Sequence, residues 1–131
     1  MNRVALIARI LLGLVFFVIG LNGFLNFLPA QELPSGPARE YTEGLAAAGY
    51  FLPVLKLVET VGGALLLTGF FVPLALILLA PVVVQIFLFH LFLAQDGLPL
   101  AGILVVLAIV VAWAHRDSFR SVLVKRAGPS V

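Results

Sequence analysis

The sequence predicts an all-α integral membrane protein, a four-helix bundle, and three observations carry that prediction. Residues of the AVILMFWYC set make up 63% of the 131-residue chain and charged residues only 11%, against roughly 45–50% and about 25% in ordinary soluble domains. Mean hydropathy is +1.20, and eight Lys and Arg with six Asp and Glu cannot clothe so small a soluble protein. Four apolar stretches approach the roughly 20 helical residues that a hydrocarbon core about 30 Å thick requires. The length suits a single domain over residues 1–131.

The first span is expected at about residues 4–28, interrupted by Arg9, Asn22 and Asn26. The second covers about 52–71 and holds Lys56 and Glu59; the third covers about 73–94 and holds Gln85 and His90. The fourth, about 98–114, has no charged residue inside it. Pro53, Pro73 and Pro99 fall in opening turns, where a missing N–H costs little. Pro81 lies deeper in its span and should kink it, freeing the carbonyl of Ile77. Short links around Phe71-Val72-Pro73 and Gln95-Asp96-Gly97 make antiparallel hairpins of spans two and three, and of three and four. Gly13 and Gly20, with Gly62, Gly63 and Gly69, allow close helix approach.

Between the first two spans, Ser35 and Pro37 can start a short surface helix through Arg39-Glu40-Tyr41-Thr42-Glu43 and the alanines that follow. It reads more as a connector than as a lid. Arg3 and Arg9 flank the first span, and Arg116, Arg120, Lys125 and Arg126 lie in the tail at 115–131. The other side offers Arg39 alone outside the spans, so both termini are expected in the cytoplasm. Arg9 can snorkel to that interface. The first apolar stretch is too long for a cleaved signal and is expected to be retained. A multi-pass membrane protein follows, its main partner the lipid bilayer.

Several chemistries fall away. The chain has no cysteine, which removes disulfide, thiolate-zinc and cysteine-ligated cluster chemistry. His90 and His115 sit at opposite ends of the bundle, so no paired haem ligation is expected, and no carboxylate or histidine cage for a metal is present. Net charge is only +2, with no basic stripe for nucleic acid.

The polar residues within the spans gather in the outer half. By helix rise, Asn22 lies about 9 Å below the outer end of its span, Glu59 about 9 Å, Lys56 about 4–5 Å, His90 about 6 Å and Gln85 roughly 13 Å. Intramembrane charge costs about 2.5–3.5 kcal/mol per group on insertion scales and normally faces the bundle interior. Glu59 is therefore the foremost candidate: a carboxyl at that depth is neutralised or held by a cation, and either state suits proton handling or polar-ligand binding. Gln85 and His90 are about 140° apart around one helix, so only one of them, by depth His90, is expected to meet Glu59. Asn22, Lys56 and Gln85 complete the ligand-binding set, with interhelical hydrogen bonding or snorkelling as the plainer role of each. No catalytic residue is assigned.

Arg9-Ile10-Leu11-Leu12-Gly13-Leu14-Val15-Phe16 with Gly20, the run Leu57-Val58-Glu59-Thr60-Val61-Gly62-Gly63-Ala64-Leu65, and Phe89-His90-Leu91-Phe92 together resemble the DoxX family of small bacterial membrane proteins. The resemblance extends over roughly residues 5–115. It implies a four-helix membrane bundle, matching positions at Glu59 and His90, and a loose association with redox processes. A related subunit belongs to thiosulfate:quinone oxidoreductases, and other members accompany oxidative-stress proteins.

Three readings are open. The first is a non-catalytic accessory subunit docked to a redox enzyme, with a polar pocket that takes a quinone head, the one cofactor in view. The second is a scaffold whose polar cluster only locks the bundle. The third, a small-solute or proton pathway, lacks ionisable groups in the inner half from Ile10 to Phe17 and from Leu65 to Ala80. Pairing into a homo-oligomer would bury more surface, and no face is apolar in a way that separates subunit contact from lipid contact.

Overall fold

The computed structural model describes residues 2–29, 33–126 and 128–129. Residues 30–32 of the expected outer loop, and 127, 130 and 131 of the expected tail, lie outside the described residues. The chain forms α1 (Arg3–Leu25), α2 (Pro37–Ala47), α3 (Phe51–Thr68), α4 (Val72–Phe92) and α5 (Leu98–Ala114), with 3-10 turns at Gln95–Gly97 and Arg116–Phe119. Among the described residues there is no strand. The helices α1, α3 and α4, and α5 with its leading turn, are each long and apolar enough to cross a membrane. This is an all-helical, multi-pass architecture.

Local chemistry sets the ends. The Asn2 side chain accepts from the Ala5 N–H at 2.8 Å and caps α1. That helix stops at Leu25, three residues short of expectation, because Asn26 turns left-handed at φ 51° and returns its N–H to the Asn22 carbonyl. Asparagine is the side chain best able to tolerate that conformation. Gly69 stops α3 in the same way at φ 83°, so α3 ends at Thr68 and not near Phe71. The Gly-Phe-Phe turn leads directly into α4, which runs through Pro81 as one continuous helix. The α5 limits coincide with the expected 98–114.

α1 and α3 run antiparallel with their backbones in close approach. A Cβ placed on Gly63 would overlap the backbone of Phe17 and Gly13, and one on Gly13 would sit 2.9 Å from Leu66 Cβ. Small residues let helices approach this closely where lipid supplies no hydrophobic drive. The innermost side chains are Leu12, Phe16, Leu66, Leu79 and Val111. α4 and α5 leave between them an apolar groove of about 400 Å³ with Leu12 among its lining residues. The start of α1 and the end of α5 meet, with Asn2, Val4 and Ala5 sharing a recess with Trp113, Ala114 and Arg116. That is the terminal end of the bundle; the opposite, loop end carries α2. Large apolar side chains such as Ile103, Val106 and Ile109 point outward, as bilayer contact requires.

Candidate functional site

The second and third turns of α3 carry Lys56 and Glu59, three residues apart on adjoining parts of one face. Glu59 is 3% exposed, the one charged residue in the core among the described residues. Lys56 Nζ donates to Glu59 Oε1 at 3.4 Å, a long contact, and Glu59 Oε2 is buried with no hydrogen-bond partner. The lysine stem lies over Gly23 of α1, where a Cβ would collide with it. One turn along, Thr60 Oγ1 donates to the Lys56 carbonyl at 2.7 Å and packs against Gly20. The pair is thus held inside the α1–α3 seam. The lysine reaches outward with 24% of its side chain exposed, while the carboxylate stays inside.

The other expected site residues are engaged elsewhere. Asn22 Oδ1 accepts from the Leu28 N–H at 2.7 Å and closes the end of α1. Gln85 donates its amide to the Tyr41 hydroxyl of α2. The Tyr41 ring also packs on Phe89 at 5.7 Å between centroids. His90 Nδ1 lies 2.8 Å from the Ile86 carbonyl of its own helix, its ring edge-on to Phe89 and against Gly97. Among the described residues, Glu59 is hydrogen-bonded to Lys56 alone, so the expected meeting of His90 with Glu59 is not formed.

Register explains the difference. Gly62 of α3 rests against Leu79 of α4, which brings Glu59 level with about Val82 in an antiparallel pair. His90 then lies about 12 Å nearer the loop end by helix rise. Depths counted from span ends assume that the ends are level, and here α4 overhangs α3. Gln85 is closer in height but sits roughly half a turn around α4 from the buried Leu76 and Val83, facing outward. Among the described residues no group of three or more His, Cys, Asp or Glu is placed to hold a metal ion.

Two partners escaped the sequence reading. Gly23 as the seat of Lys56 was visible three residues after Gly20, on the glycine face of α1. Tyr41 as the partner of Gln85 had no local signal, since the two are 44 residues apart. Tyr41 does share the Ala38–Tyr41–Leu45 stripe by which α2 faces the bundle. Tyr41→Phe keeps the stack on Phe89 and deletes the hydroxyl, a loss of about 1 kcal/mol. Amide exchange in α2 is expected to quicken about fivefold, with α3–α5 unchanged. Exchange in α2 equal to wild type would show that the hydroxyl does not hold it.

A family model described as DoxX matches residues 4–91, from the start of α1 almost to the end of α4. No curated protein and no solved structure matches the chain.

Proposed function

The chain belongs to the DoxX family, and from that premise we propose that it is a small accessory subunit of a quinone-linked redox system, with no catalysis of its own. The observation that carries a ligand reading is the buried Glu59 carboxylate, with one long contact to Lys56 and one oxygen unpartnered. A buried polar atom without a partner is costly, so a ligand donor such as a quinol hydroxyl would find a ready acceptor there. Lys56 would donate to a quinone carbonyl. The proposed ligand groups are these two; Asn22, Gln85 and His90 serve the loop end of the bundle. Orientation follows the arginines: Arg3, Arg9, Arg116 and Arg120 at the terminal end support cytoplasmic termini in a bacterial inner membrane. The redox enzyme partner would dock on this multi-pass bundle.

One observation favours a scaffold instead. Lys56 is laid over Gly23 and its own turn is pinned by Thr60, so the pair is built into the α1–α3 seam. Titration of a short-tailed benzoquinone into the protein in lipid nanodiscs separates the two. Loss of one charge-assisted hydrogen bond is expected to weaken binding roughly tenfold or more in Glu59→Gln and Lys56→Met. Binding that is absent, or unchanged in both variants, sinks the ligand reading and leaves the scaffold.

A further inference from the structure

Among the described residues, Arg9 is the one cation placed well inside the terminal half of the spans, about 9 Å along α1 from Arg3 by helix rise. Its guanidinium lies against Gly69, the left-handed residue that ends α3; a Cβ there would stand 2.6 Å from Nη1. Glycine is thus required twice at this position, for its φ of 83° and for the space the guanidinium fills. Arg9 Nε is buried without a hydrogen-bond partner. None of the three ion pairs among the described residues includes Arg9. Asp117, the carboxylate that follows α5, is bonded to Arg120.

A guanidinium stays cationic in proteins, so in an apolar span it needs an anion or an array of acceptors. The open carbonyls at the end of α3 give it a favourable dipole but no counter-charge. The adjoining turn presents Phe70 and Phe71, each 69% exposed. Two large apolar side chains in a turn are at home among acyl chains, not in water, which places the turn at the edge of the hydrocarbon. A phosphate group belongs at that edge.

We propose that Arg9, seated on Gly69 at the α3–α4 turn, binds the phosphodiester of a phospholipid from the leaflet at the terminal end. The planar guanidinium offers paired N–H donors to two phosphate oxygens, which an ammonium does not. The acyl chains lie beside Phe70 and Phe71. The proposal is independent of the redox reading and of any ligand at Glu59.

The test is native mass spectrometry of the protein released from nanodiscs of mixed phosphatidylglycerol and phosphatidylcholine. Wild type is expected to retain one phospholipid, and Arg9→Met to retain it roughly tenfold less. Arg116→Gln is the charge-matched control, because Arg116 stacks 4.9 Å from the Trp113 ring centroid, in the recess between the start of α1 and the end of α5; it is expected to retain lipid as wild type does. If Arg9→Met does not fold, Arg9→Lys keeps the charge, removes the fork, and is expected to retain several-fold less. Retention equal to wild type in whichever Arg9 variant folds overturns the site. Lipid-depleted wild type is also exposed to inorganic phosphate. A phosphate adduct as persistent as the lipid would overturn the lipid source.

Discussion

Gly63→Ala is expected to destabilise the bundle by about 1–3 kcal/mol, the usual range for overpacking, and to lower folding yield in detergent. The added Cβ would stand 2.8 Å from both the Gly13 carbonyl oxygen and Phe17 Cα. Backbone atoms cannot rotate away, so α1 and α3 must separate along their whole seam. Gly62→Ala meets the tip of the Leu79 side chain instead, at 2.8–3.0 Å, and a rotamer change absorbs part of the strain. Gly102 has nothing within 4 Å of its would-be Cβ, and alanine there gains up to about 1 kcal/mol of helix propensity. Thermal unfolding of the three variants should rank Gly63→Ala lowest and Gly102→Ala at or above wild type. If Gly63→Ala melts with wild type, the close α1–α3 contact is not what holds the bundle.

Lys56→Met is expected to destabilise by about 3 kcal/mol, the low end of the range for breaking a buried ion pair. The low end applies because Lys56 keeps 24% of its side chain exposed whereas Glu59 keeps 3%. The variant strands a buried carboxylate whose second oxygen already lacks a partner. Adding Glu59→Gln removes the stranded charge, and the double variant is expected to recover most of the loss. Met suits this purpose because its unbranched stem can still lie over Gly23. Chemical unfolding of wild type, both single variants and the double variant gives the coupling energy directly. Additive losses would mean that the two charges do not depend on one another.

The helices were legible because bilayer thickness turns composition into length, and because prolines mark the starts of α4 and α5. α5 begins and ends where hydropathy and Pro99 put it. α1 and α3 both stop three residues early for a shared reason. Phe27 and Leu28, and likewise Phe70 and Phe71, are apolar and exposed although they lie outside any helix interior. Beside lipid, a turn can be as apolar as the helix it ends, so hydropathy does not register the stop. Backbone conformation at Asn26 and Gly69 does.

The candidate site divides along the same line. Lys56 and Glu59 are neighbours on one helix face, a relation that i, i+3 spacing already contains. That Glu59 is buried follows from the cost of exposing a carboxylate to lipid. Which groups from other helices reach it depends on how far one helix slides past another, and Gly62 against Leu79 sets that slide. The same contact carries His90 beyond Glu59, and azimuth turns Gln85 outward to Tyr41. Spacing along one helix is a local property of a rigid rod and can be counted residue by residue. The offset between rods is settled by interlocking side chains across the seam, so the pairing of Lys56 with Gly23, of Tyr41 with Gln85 and of Arg9 with Gly69 exists only once the bundle has packed.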